Sequence, residues 1–185
     1  MVLLALESLE SEFMEEHCLE ALERMGPQEA FEPMHQRAQK RDRPAIRILG
    51  KIGDEEAVET LLEYVDADSD PQLQKVTFRA LGEIGSEDAT QALANKLEMD
   101  NDQVRPRAAR ALGLIGDTRA IEPLADTLES DESDDVRAAA AWALRQIGTE
   151  SALEAAAEHA GDRSYLVQHE AELAADALGA AVAEA

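Results

Sequence analysis

Apolar residues recur along this chain at the spacing of an α-helix and stop at glycine. Val136, Ala140, Ala143, Leu144 and Ile147 fall at offsets 0, 4, 7, 8 and 11, one stripe of a helix with 3.6 residues per turn. Gly148 follows that stripe, and Gly53, Gly85 and Gly116 follow similar ones. A glycine just past a helix end can adopt the left-handed conformation that closes the last turn without a side-chain penalty. The next residues, Asp54, Ser86, Asp117 and Thr149, are N-capping types, and Glu55, Glu56, Glu87 and Asp88 suit the positive end of a new helix dipole. The pattern predicts helical hairpins. First helices are expected near 28–39, 54–66, 86–99, 117–129 and 149–160, with partners near 42–52, 71–84, 102–115, 134–147 and 164–178. Asp70-Pro71 opens a partner helix with cap and N1 proline in the favoured order. Pro33 and Pro123 fall inside first helices and are expected to kink them, because an interior proline removes one hydrogen bond.

The hairpins repeat. Leu49-Gly50-Lys51-Ile52-Gly53 returns as Leu81-Gly82-Glu83-Ile84-Gly85, Leu112-Gly113-Leu114-Ile115-Gly116 and Leu144-Arg145-Gln146-Ile147-Gly148, with leucines 32, 31 and 32 residues apart. Asp117 to Leu124 echoes Pro27 to Met34, and runs such as Asp102-Gln103-Val104-Arg105 and Asp134-Asp135-Val136-Arg137 precede the motif. A fixed period in this range marks stacked units rather than one closed core. These residues resemble HEAT repeats, specifically the phycobilisome-lyase HEAT-like subclass, over roughly residues 27–180. The resemblance implies an all-α, right-handed α-solenoid of about five hairpins, with units near 27–53, 54–85, 86–116, 117–148 and 149–180. It says little about function, since such solenoids serve many roles. Two departures stand out: the first unit is about five residues short, and Ala177-Leu178-Gly179 arrives two residues late. Both suit terminal caps. Residues 1–25 read as an amphipathic helical cap over the first unit, or alternatively as a dimerisation helix.

Charge narrows the partners. The chain has 185 residues and carries 40 Asp and Glu against 17 Lys and Arg, a net charge of −23, with 45% apolar and 3% aromatic residues. Such a surface disfavours free nucleic acid. Lysine is scarce beside arginine, with only Lys40, Lys51, Lys75 and Lys96 present. This resembles a protein from an extreme halophile, in the context of the repeat a halophilic archaeon; an ordinary acidic protein is the alternative. Cys18 is the single cysteine, which excludes an intrachain disulfide and suits a reducing compartment. No basic region precedes the apolar run Val2 to Leu6, and no stretch reaches the length of a membrane span. A cytoplasmic protein is the expectation.

Counting 100° per residue along the second helices, one outward position holds Arg47, Arg79, Arg110 and Trp142. A second outward position holds Arg43, Lys75, Pro106 and Ala138. In HEAT proteins the second helices line the concave face, so the resemblance implies a basic stripe there that ends in the sole tryptophan. Arginine and tryptophan are frequent binding hot spots. Arg43, Arg47, Lys75, Arg79, Arg110 and Trp142 are therefore the candidate binding residues, and a protein with an acidic segment is the candidate partner. The competing reading has these arginines solvated or paired with neighbouring carboxylates. A denser patch runs through Arg37, Lys40, Arg41, Arg43, Arg47 and Lys51, but no aromatic residue interleaves it to stack bases. Nucleic acid is less favoured than protein. Arg105 and Arg137, each three residues after an aspartate, resemble the Asp-Arg ladder of HEAT stacks and are assigned to structure.

Catalysis is not expected. His169-Glu170 resembles one metal-binding pair of deoxyhypusine hydroxylase, a di-iron enzyme on this repeat. The corresponding pairs here are Arg43-Pro44, Lys75-Val76, Pro106-Arg107 and Ala138-Ala139, none of which ligates iron. His17, His35 and His159 lack a metal-motif spacing. Glu15, Glu16 and Glu20 surround Cys18 and disfavour its thiolate. No cofactor is expected. The runner-up reading, carried by the subclass resemblance, is a phycobilin-lyase-like accessory protein that handles a tetrapyrrole or modifies a partner.

Overall fold

The computed structural model describes residues 26–65, 70–99 and 101–184. Among these, all regular structure is helical. Ten helices follow in order: α1 (Pro27–Ala38), α2 (Arg43–Ile52), α3 (Val58–Leu62), α4 (Pro71–Ile84), α5 (Glu87–Asn95), α6 (Arg105–Ile115), α7 (Ile121–Ser130), α8 (Asp134–Ile147), α9 (Glu150–Ala157) and α10 (Tyr165–Glu184). Short 3-10 turns at Glu55–Ala57 and Thr118–Ala120 lead into α3 and α7, and another at Lys96–Glu98 closes α5. Helices pack as pairs, α1 with α2 through to α9 with α10, and the pairs stack. The result is an all-α solenoid. The proposed cap over residues 1–25, with Cys18 and His17, lies outside the described residues.

The hinges between pairs form as the sequence dictates. Gly53, Gly85, Gly116 and Gly148 have φ of 74°, 70°, 73° and 70°. In each, the N–H closes the preceding helix on the carbonyl of the motif leucine, Leu49, Leu81, Leu112 or Leu144. Cap side chains then accept from the next helix: Asp54 from the Glu56 N–H at 3.0 Å, Ser86 from Ala89 at 3.1 Å, Asp117 from Arg119 at 2.9 Å and Thr149 from Ala152 at 3.3 Å. Of the two prolines, only Pro123 is placed differently from expectation. Pro33 lies inside α1, which continues through it to Ala38. Pro123 is the third residue of α7, in a first turn where the N–H has no intrahelical acceptor to lose. The α-helix begins later than the sequence suggests because the 3-10 turn at Thr118–Ala120 occupies the stretch just before it.

The motif leucines Leu49, Leu81, Leu112 and Leu144 are fully buried, with Leu61, Leu93, Leu124 and Leu128 facing them from first helices. The first motif glycine has a separate role. A Cβ added to Gly50 would lie 2.7 Å from Cα of Ala80, and one added to Gly113 would lie 2.7 Å from Cα of Ala143. At Gly82 it would meet Leu114 Cβ at 3.0 Å. Successive second helices thus touch backbone to backbone at small residues, and they pack on one another more extensively than the first helices do. The layer of second helices is the tighter and therefore the inner one. Gly113→Ala should force α6 and α8 apart and cost about 1–3 kcal/mol, the usual range for overpacking a core. Thermal melts of the variant against wild type check this; an unchanged melting temperature would mean the seam is slack.

Candidate functional site

Arg79, Arg110 and Trp142 immediately precede Ala80, Ala111 and Ala143, the residues that meet Gly50, Gly82 and Gly113 of the previous helix. The three side chains therefore stand in register beside successive seams of the inner layer, and Arg47 holds the matching position on α2. Arg43, Lys75, Arg79 and Arg110 are exposed, while Arg47 and Trp142 are half-buried. The row is continuous in register across four helices. The second row is not, since Ala138 is only 8% exposed and Pro106 half-buried. It is exposed at Arg43 and Lys75, half-buried at Pro106 and buried at Ala138.

Trp142 packs toward the preceding repeat. Its ring lies back across α6, with Cζ3 at 2.9 Å from where a Gly113 Cβ would be and the Arg110 guanidinium carbon 5.6 Å from the ring centroid. Glycine at 113 makes room for the indole, and the face left over binds the cation. Arg79 pairs with Glu83 one turn on, at 2.8 Å, yet keeps 66% of its side chain exposed. Such an exposed pair contributes little to stability. The patch around α1 and α2 is partly spent: Arg37 bonds Asp42 through Nε at 2.6 Å, and Arg41, at φ 62°, stacks over Tyr64 at 5.6 Å. Lys40, Arg43 and Lys51 remain exposed.

Arg105 and Arg137 have structural partners, but not the ones three residues upstream alone. Arg105 grips Asp131 with Nε at 2.7 Å and Nη2 at 3.1 Å, and donates to the Met99 carbonyl at 3.0 Å. Arg137, 4% exposed, holds Asp162 through Nε at 3.0 Å and Nη2 at 2.9 Å, reaches Asp134 at 2.8 Å, and donates to the Asp131 carbonyl at 2.9 Å. These arginines therefore clip α6 and α8 to the loop ahead of the next second helix. Hydrogen bonding to Arg137 holds the Asp162 carboxyl below its ordinary range, against a smaller opposing effect of burial. A depressed carboxylate stabilises the fold above its unfolded pKa, and that contribution is lost as pH falls through the folded value. Arg137→Met should cost about 3 kcal/mol, since it leaves a carboxylate and carbonyls unpaired, lowering the melting temperature by roughly 10 °C for a chain of this size. The variant should also lose stability less steeply than wild type below about pH 4, where Asp162 titrates in the unfolded chain. Parallel melts from pH 7 to pH 3 check both slopes.

His169 is exposed and stacks on Tyr165 with 6.2 Å between ring centroids, and Glu170 pairs with Arg145 at 2.9 Å. His35 bonds the Thr60 hydroxyl at 2.8 Å, and His159 contacts the Ala155 carbonyl at 3.1 Å. Among the described residues no three His, Cys, Asp or Glu side chains gather as a metal ion would require. No described helix is long and apolar enough to cross a membrane.

Sequence reasoning missed Leu114. It is 50% exposed on α6, one turn from Arg110, and lies over Gly82. The signal was present, because the same motif position holds Lys51, Glu83 and Gln146 in the other units. Tyr165, Leu166 and Leu173 on α10 are also exposed.

A family model for HEAT repeats matches residues 42–105 and 92–176, which together span most of the chain. The chain belongs to the HEAT-repeat family. This HEAT-repeat protein is similar in fold to a chain in the complex of CpcE and CpcF of phycocyanin lyase from Nostoc sp. PCC7120, at 24% identity and a TM-score of 0.58 over 74% of its length. It spans 58% of that chain's length. It is also similar to human deoxyhypusine hydroxylase, at 20% identity and a TM-score of 0.51, covering 96% of this HEAT-repeat protein and 88% of that one. An engineered protein matches at 24% identity and a TM-score of 0.50, over 81% and 79% of the two chains. Comparison with curated proteins gives no match. At these identities the likenesses establish the solenoid fold of the HEAT-repeat protein and nothing further.

Proposed function

We propose that this HEAT-repeat protein is a non-catalytic scaffold that binds a protein partner, through an acidic segment of that partner, along its inner face. The observation that carries this reading is the row Arg47, Arg79, Arg110 and Trp142, in register beside the seams of the inner layer, on a chain whose net charge is −23. On a protein this acidic, three arginines in register on one face offer a carboxylate-bearing ligand a site where it gains most. Nucleic acid fits less well, because repulsion from the rest of the surface opposes a phosphate backbone. A cytoplasmic location and a salt-adapted, halophilic archaeal source belong to the same proposal and rest on composition. Immobilised protein incubated with extract of its native host should retain a protein with an acidic stretch, identified by mass spectrometry. Recovery of nucleic acid alone would contradict the proposal.

The second reading is a phycobilin-lyase-like accessory that handles a tetrapyrrole or modifies a partner. The fold likeness to a phycocyanin lyase complex supports it. Protein purified from its host without chelator should show no visible absorption band and less than about one equivalent of iron or zinc, which demand dedicated ligand sets. A stoichiometric visible chromophore favours the second reading, and stoichiometric di-iron overturns both.

A further inference from the structure

The middle of the inner face carries more than charge. Leu114 is half exposed above Gly82, where the other units place lysine, glutamate or glutamine. One turn away on α6, Arg110 stacks on Trp142 of α8 rather than pairing with a carboxylate among the described residues. On the other side, Arg79 of α4 stands three residues before Gly82, with only an exposed i,i+4 pair to Glu83 to give up. An apolar side chain is thus exposed one turn along from two cations on neighbouring helices, on the helix whose Arg110 stacks on the indole ring.

We infer that this stretch, from Arg79 to Trp142, recognises a peptide segment in which two carboxylates about three residues apart flank one large apolar side chain. The inference rests on the scaffold reading and specifies its ligand. Packed helices lie about 8–10 Å apart, and a peptide in the polyproline II form rises about 3.1 Å per residue and returns to the same face every third residue, so side chains three positions apart meet cations on adjacent helices. One carboxylate takes Arg79 and the other takes Arg110, whose guanidinium is already oriented by the Trp142 ring. The apolar side chain between them covers Leu114. Its burial supplies the part of the affinity that salt does not screen, whereas exposed ion pairs weaken as the screening length shortens.

The chain has one tryptophan, so Trp142 emission reports occupancy of this site directly. The probes are a series of synthetic nine-residue peptides with two glutamates three residues apart and Leu, Phe, Ser or Lys at the positions between them, together with a single-stranded oligonucleotide. Leu and Phe peptides should bind at least ten-fold more tightly than the Ser peptide. Leu114→Ser should reduce the Leu peptide to the level of the Ser peptide. Should that variant fold poorly, the peptide series on the wild-type chain still decides. Equal binding of Leu and Ser peptides, an oligonucleotide that outcompetes every peptide, or no binding by any peptide overturns the inference. If Leu and Ser peptides bind equally and charge reversal of the arginine row abolishes both, the apolar anchor is wrong while the scaffold reading stands.

Discussion

Raising KCl from about 0.1 M to about 2 M is expected to raise the melting temperature and low-salt helical signal of this protein steeply. With a net charge of −23 on 185 residues, self-repulsion favours the unfolded chain, in which charges spread farther apart. The interior offers limited compensation. Its inner seams are made by Ala80, Ala111 and Ala143 against glycines, and alanine buries few methylenes at about 0.8 kcal/mol each. Salt shortens the screening length from about 10 Å at 0.1 M to about 3 Å at 1 M, which removes most long-range repulsion. The ladder pairs Arg105–Asp131 and Arg137–Asp162 are partly withdrawn from solvent and lose less, because burial limits screening. Acidification toward pH 5 should partly substitute for salt by neutralising exposed carboxylates. Below about pH 4 the gain should reverse as Asp162 and Asp117 lose their charge, both held below the ordinary aspartate range by arginine hydrogen bonds. Circular dichroism during a KCl titration at several pH values measures this; a melting temperature flat or falling with salt would refute the charge argument.

The fold was legible because its determinants are local. Glycine, cap and leucine recur at fixed places, and each of Gly53, Gly85, Gly116 and Gly148 performs the helix closure its position implies. What escaped was set by contacts between units. The glycine after the motif leucine reads in sequence as a helix weakener, and only the close approach of Ala80 to Gly50 or Ala143 to Gly113 gives its reason. Periodicity puts Pro123 in a helix interior because it does not distinguish a 3-10 lead-in from α-helix. The Asp-Arg spacing points to a structural role for Arg105 and Arg137, yet their main partners lie 26 and 25 residues ahead, where spacing gives no clue. At the candidate site the arginine row was visible from helical periodicity alone. The direction of the Trp142 ring was not, since it depends on the absence of a side chain at Gly113.

Replacing Arg47, Arg79 and Arg110 together by Glu bears most directly on the claim that the inner face binds the partner. Arg79 and Arg110 are exposed, so their reversal removes little from the core. Arg47 is half-buried, which makes a parallel helical spectrum part of the measurement. The exchange turns the cationic row into a carboxylate row facing an acidic ligand, and like-charge juxtaposition across an interface costs several kcal/mol, a loss in affinity of at least a hundred-fold. Affinity capture of the native partner on wild-type and triple-variant protein, with helicity followed at the same salt, is the deciding measurement. Complete loss of the partner with the helical spectrum unchanged is the predicted result, and retention of the partner at wild-type levels would contradict the account.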